Sequence, residues 1–246
     1  MAAPAALRGE LRPYQRTGFG WLRALSECGL GGVLADDMGL GKTVQALALL
    51  VHRHLDEKTD RPSLLVVPTS LVGNWRREAA RFAPDLRLLV LHGPGRLRRF
   101  GDIPDHDLVV TTYPLVTRDH RALFGHEYDT VVLDEAQTVK NPAAGIAKRI
   151  REVRARHRVA LTGTPIENSL QELWALYDWL VPGLLGSRKA FTADYRTPIE
   201  KQGDRAKQRL LSTRIKPFLM RRTKEQVARE LPEKTVTDEL VSLEGP

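Results

Sequence analysis

Residues 35–43 read Ala-Asp-Asp-Met-Gly-Leu-Gly-Lys-Thr, a glycine-rich turn closing on Gly41, Lys42 and Thr43. Glycines at such spacing let successive backbone N–H groups turn toward an anion. The lysine then supplies a point charge for terminal phosphates, and the threonine hydroxyl can ligate Mg²⁺. The flanks supply the context this turn needs. Gly32-Val33-Leu34-Ala35 has the apolar run of a short buried strand, and Val44, Leu47, Ala48, Val51 and Leu55 recur at helical spacing. Strand, glycine turn and helix predict an α/β fold with a nucleoside triphosphate site on Asp37, Met38, Gly39, Leu40, Gly41, Lys42 and Thr43. Lys42 at a helix start opposes the macrodipole unless an anion lies in front of it. One departure stands out: the strict phosphate-loop pattern has glycine where this chain has Asp36.

Beyond the loop, short apolar runs alternate with helical patterns. The runs lie at 64–67, 88–91, 108–110, 131–133 and 159–161, with helices expected around Trp75 to Phe82, Leu115 to Leu123 and, as a basic segment, Ile146 to Arg156. Continuous rather than alternating apolar strands predict a RecA-like parallel sheet with helices on both faces. From about Ile166 the pattern turns to helix after helix, with Leu170, Leu173, Trp174, Tyr177 and Leu180 on one face as core. The division expected is a nucleotide-binding lobe over 1–165, a helical insertion over 166–232, and a strand or linker over 233–246.

A phosphate loop needs a carboxylate at the end of another buried strand. Val131-Val132-Leu133-Asp134-Glu135-Ala136-Gln137 supplies one. Asp134 is placed to hold Mg²⁺, commonly through water, and Glu135 to polarise an attacking water.

The net charge of +8 favours a polyanionic partner, although acids are interspersed with the bases. The arginines at 96, 98 and 99 and the basic run Lys148 to Arg158 read as solvated faces. A single cysteine, Cys28, excludes an intramolecular disulfide and reads as a small core residue. No apolar run approaches the roughly 18 residues of a membrane span. The expectation is a soluble intracellular protein, in the cytoplasm or nucleoid of a prokaryote or the nucleus of a eukaryote.

These motifs, followed by Leu161-Thr162-Gly163-Thr164-Pro165, resemble the first RecA-like lobe of the Swi/Snf-type ATPases, double-stranded DNA translocases of helicase superfamily two. Leu11-Arg12-Pro13-Tyr14-Gln15 is similar to the adenine-reading motif of that family and Pro68 to Trp75 to its first DNA-contact motif. Further blocks are Thr111 to Tyr113, Gln137 to Asn141, Pro165 to Trp174 and Phe218 to Lys224. The family also carries aspartate at the position of Asp36. The resemblance implies ATP and Mg²⁺ as cofactors, with Gln15 reading adenine and Thr43 and Asp134 as metal ligands. It implies Lys42, Asp134, Glu135 and Gln137 as catalytic residues, although the family most often has histidine where this chain has Gln137. Double-stranded DNA would be held through its phosphates by Thr69, Ser70, Asn74, Trp75, Thr112, Lys140 and Asn141, Trp75 having a competing reading as a core ring. Thr162, Gly163 and Thr164 would couple the two sites.

The family completes its ATP site with an arginine-rich motif on a second lobe, and no Gln-x-x-Gly-Arg-x-x-Arg segment occurs in these residues. An arginine of that kind contributes about 10³ to 10⁵ in turnover, so this lobe alone is expected to hydrolyse poorly. Two alternatives stay open: a non-catalytic nucleotide-sensing adaptor, which has no need of Glu135, and an RNA helicase of the same superfamily. Membrane association is not expected, and no protein partner is named by the sequence.

Overall fold

The apolar runs become strands because each is buried on both faces and only a paired ladder satisfies its backbone there. The computed structural model describes residues 2–139, 145–163 and 169–230. Its strands are β1 (Gly32–Leu34), β2 (Ser63–Val67), β3 (Leu88–Val90), β4 (Leu108–Thr112), β5 (Tyr128–Leu133), β6 (Ala155–Leu161) and β7 (Leu219–Met220). All pair in parallel in the order β3-β4-β2-β5-β6-β1-β7. Every residue of β1, β2, β4 and β5 is buried, as a doubly covered sheet requires.

The helices are α1 (Pro13–Glu27), α2 (Lys42–Val51), α3 (Val72–Phe82), α4 (Tyr113–Arg118), α5 (His120–Phe124), α6 (Gly145–Glu152), α7 (Leu170–Leu180), α8 (Arg188–Phe191), α9 (Thr197–Gln202) and α10 (Arg205–Ile215). Successive strand residues feed opposite layers. Leu65 and Val67 join Phe19, Leu22, Leu47 and Trp75 on one side, whereas Leu64 and Val66 join Tyr113, Val116, Ile150 and Tyr177 on the other. The helix after the phosphate loop is buried all round from Val44 to Val51, not along one stripe, because it lies between the sheet and α1. It runs on into a π-helical turn at His52–Asp56.

Three expectations are corrected. The basic helix ends at Glu152, and Ala155 to Arg158 belong to β6. Its charge run concealed an alternation that buries His157 while Arg156 reaches Asp60 at 3.2 Å. The helix near Leu115 to Leu123 is broken into α4 and α5 at Asp119, whose carboxylate is held by Arg96. Cys28 is exposed, as the C-cap residue of α1. Residues 170–215, expected within a helical insertion, pack on the sheet. Tyr177, Phe191, Tyr195, Leu211 and Ile215 share one core with the sheet, and the chain then returns to it as β7 beside β1. A two-residue strand carries no periodicity to read. The strand-like segment expected over 233–246 lies outside the described residues.

Candidate nucleotide-binding site

In a parallel sheet all strand C-termini share one edge, where α/β folds place their ligands. Here β1 delivers the phosphate loop, β5 delivers Asp134 and β6 delivers Thr162 to that edge. A cleft of about 1090 Å³ opens there, with Gln15, Gly41, Lys42, Thr43, Asp134 and Glu135 in its lining.

The loop needs its glycines. Gly39 and Gly41 have φ of 87° and 72°, in the left-handed region. A Cβ on Gly41 would also lie 2.4 Å from Gln15 Nε2. Lys42 Nζ folds back to donate to the carbonyl of Asp36 at 2.7 Å and lies 3.4 Å from that of Asp37. Burial lowers the pKa of this ammonium, and the charges of Glu135, Asp36, Asp134 and Asp37 oppose that shift. Among the described residues this ammonium donates to loop carbonyls, and so held amid carboxylates it suits an incoming phosphate with its metal. Met38 is 71% exposed over the cleft, whereas Leu40 is buried against Tyr14 and Val227 and offers only its backbone. The Asp37 carboxylate accepts from the backbone N–H of Lys224 at 3.0 Å.

Gln15 is buried. Its carbonyl oxygen accepts from Arg12 N–H at 3.0 Å, which caps α1, while its amide nitrogen makes only 3.4 Å contacts with Leu40 O and Tyr14 Oη. A well-directed donor and a second carbonyl lone pair therefore remain for an adenine edge.

Asp134 is 7% exposed, and three groups fix it: Trp75 Nε1 donates to Oδ2 at 2.7 Å, the Glu135 N–H donates to Oδ1 at 2.9 Å, and Tyr113 Oη donates to its carbonyl at 2.6 Å. Burial raises its pKa, with the Trp75 bond opposing and the Glu135 charge adding. Glu135 sits at φ 50°, a left-handed conformation rare for a side chain of its size. Gln137 Nε2 donates to Glu135 Oε2, and Thr162 Oγ1 donates to Gln137 Oε1 at 2.9 Å. A relay thus joins the ends of β5 and β6. A Cβ on Gly163 would lie 3.0 Å from Met38 Cγ and 3.8 Å from Lys42 Nζ, so its bareness lets the β6 end approach the loop. The oxygen donors of Thr43 and Asp134 are hard and face one cleft, which fits Mg²⁺.

The residues expected to meet DNA divide. Thr69 and Ser70 are exposed past the end of β2. Thr69 shares a groove of about 520 Å³ with His92, Arg118 and Thr112, the last being 1% exposed. Trp75 is corrected: at 1% exposure it reaches no DNA, and its indole instead positions Asp134. Asn74 is half-buried and lines the nucleotide cleft. Lys140, Asn141 and Thr164 lie outside the described residues. Of the three arginines read as a solvated face, Arg96 is buried on Asp119 and Arg99 pairs with Asp102. Sequence reasoning missed Arg222, whose guanidinium is bonded to Asp36. The signal was present in the aspartate that replaces the first loop glycine.

The model of the SNF2-related domain matches residues 14–245. The Bacillus subtilis protein YwqA, an ATP-dependent helicase/translocase by name, is 43% identical over 244 residues, covering 97% of this chain and 26% of YwqA. The TATA-binding protein-associated factor MOT1 of Saccharomyces cerevisiae is 37% identical over 259 residues, 96% of this chain and 14% of its own length. Among solved structures, the Sulfolobus solfataricus SWI2/SNF2 ATPase core in complex with dsDNA superposes with a TM-score of 0.87 at 42% identity. That match covers 94% of this chain and 48% of the Sulfolobus one.

Proposed function

The chain belongs to the SNF2-related family, and from that membership we propose that it is the ATP-binding half of a DNA-dependent ATPase that moves along double-stranded DNA and remodels protein–DNA complexes. The observation that carries this reading is the convergence of Lys42, Thr43, Asp134, Glu135 and Gln15 on one cleft. Backbone N–H groups of the loop and Lys42 bind the phosphates, and Gln15 reads adenine. Thr43 and Asp134 hold Mg²⁺, which neutralises phosphate charge when bound. Glu135, steered by Gln137, orients the attacking water. The relay from Glu135 through Gln137 to Thr162 passes the state of the phosphates to the DNA edge.

The Sulfolobus core was solved with dsDNA, which supports the same ligand here. Thr69, Ser70, Lys140 and Asn141 are hydroxyl, amide and ammonium groups suited to phosphate oxygens, so binding is insensitive to base sequence. A second lobe contributes the remaining ATP contacts, and residues 1–246 alone turn over slowly. The test is ATPase turnover by a protein containing both lobes, with duplex DNA, single-stranded DNA and RNA compared. Stimulation by duplex DNA is expected. Stimulation by RNA alone indicates an RNA helicase, and nucleotide binding without turnover on any of the three indicates an adaptor.

A further inference from the structure

Arg222 lies 186 residues from Asp36 in sequence, yet its Nε donates to Asp36 Oδ1 at 2.9 Å and its Nη2 pairs with Oδ2. The same guanidinium donates from Nη2 to Gln45 Oε1 of α2 at 2.7 Å and from Nη1 to the carbonyl of Tyr14 in α1, and its carbon stands 5.3 Å from the Tyr14 ring centre. Asp36 is fully buried, and Gln45 Nε2 also donates to it at 3.3 Å. The main chain runs alongside: Ala35 N–H donates to Met220 O at 2.7 Å, Asp37 N–H to Arg222 O at 3.0 Å, and Lys224 N–H to Asp37 Oδ2 at 3.0 Å. Further on, Glu230 Oε2 accepts from Tyr14 N–H at 2.8 Å. Even a glycine serves this junction, since a Cβ on Gly18 would lie 1.8 Å from Gln45 Oε1 and 2.8 Å from Arg222 Nη2.

We propose that Arg222 is a positioning residue for nucleotide binding, a clamp that fixes the phosphate loop and the Gln15 helix against the segment 219–230. This rests on the nucleotide-site reading above. Tyr14, whose carbonyl Arg222 holds, adjoins Gln15 in sequence, and Asp36, whose carboxylate it holds, precedes the turn that presents Lys42. Displacement of segment 219–230 would therefore move adenine and phosphate contacts together.

The test titrates a fluorescent ATP analogue, with GTP as competitor, against residues 1–246 carrying Arg222→Gln, Arg222→Lys, Lys42→Ala or the control Arg221→Gln, at a temperature where circular dichroism shows each folded. Arg222→Gln is expected to weaken binding about tenfold or more, about 1.4 kcal/mol, and to narrow the ATP-over-GTP preference. Arg222→Lys restores part of both, and Arg221→Gln leaves both unchanged. If Arg222→Gln does not fold, because Asp36 is left buried and unpaired, Arg222→Met with Asp36→Asn removes both charges and is expected to show the same weakening. Unchanged affinity and preference in the folded variant, with Lys42→Ala losing binding, overturn the clamp. No binding by the unmodified chain defeats the nucleotide-site reading instead, and the clamp with it.

Discussion

The indole of Trp75 gives the sharpest test of how this site is built. Trp75→Phe keeps an aromatic ring in the core but deletes the Nε1 donor that meets Asp134 Oδ2 at 2.7 Å. A hydrogen bond to a charged group contributes about 1.5–3 kcal/mol. For a domain of this size each kcal/mol shifts Tm by about 2–4 °C, so the bond alone is expected to account for about 3–12 °C. Loss of ring volume adds to the drop, and a double-mutant cycle separates the two. In an Asp134→Asn background Trp75→Phe reports the lost volume with only a neutral bond, and the difference between backgrounds is the charged bond.

The functional consequence has a definite sign. Burial raises the pKa of Asp134, and the Trp75 bond is the largest influence opposing it. Without that bond the carboxyl takes up a proton more readily as pH falls, and a protonated carboxyl does not hold Mg²⁺. Magnesium titrations of nucleotide binding are therefore expected to shift to higher Mg²⁺ in Trp75→Phe, with the gap to the unmodified protein widening toward acid pH. An equal Tm loss in both backgrounds, or an unchanged Mg²⁺ requirement at acid pH, refutes the assignment of Trp75 to Asp134 and leaves it a core ring.

A raised pKa means that ionised Asp134 costs stability above its folded pKa and that the cost is relieved as pH falls through it. Asp134→Asn is accordingly expected to raise Tm at neutral pH while weakening Mg²⁺-dependent nucleotide binding, which differential scanning calorimetry and a titration check together. Gln137→His in the two-lobed protein is expected to retain turnover at pH 8 and lose it on the acid side of about 6.5. The protonated ring would offer Thr162 no acceptor, so a flat pH–rate profile from 8 to 5.5 counts against the relay. If this lobe touches about three phosphates, its affinity for duplex DNA should fall about 40-fold between 50 and 200 mM salt, and a flat response in an anisotropy titration excludes backbone binding of that kind.

The strands and the carboxylates that follow β5 were legible because their signals are local. A continuous apolar run followed by Asp134 and Glu135 identifies both a buried parallel strand and the end at which it delivers its acids to the sheet edge. Glycine spacing likewise located a loop whose positive φ angles require glycine. What the sequence hid is what depends on distant neighbours. Trp75 sits in an exposed-looking motif, and only the packing of α3 on the sheet turns its indole toward Asp134. The charge run ending at Arg158 masked a strand, because a charge count ignores the alternation that buries His157. β7 offered no period to detect, and its partner β1 lies 186 residues away, Val33 pairing with Leu219.

Asp36 unites these cases. Glycine at the corresponding place in the strict pattern would leave the loop's first turn without a side chain. Here the turn carries a buried carboxylate, and burying an isolated charge is unfavourable unless it is paired and hydrogen-bonded. The partner, Arg222, arrives from the far end of the described residues. The substitution therefore makes the phosphate loop dependent on a segment that a strict phosphate loop does not require. Removal of Arg222 strands a charge inside the nucleotide-binding edge, whereas removal of an exposed arginine such as Arg98 does not. The sequence departure from the strict phosphate loop is thus the physical reason why residues 219–230 are tied to the loop, as the proposed clamp requires.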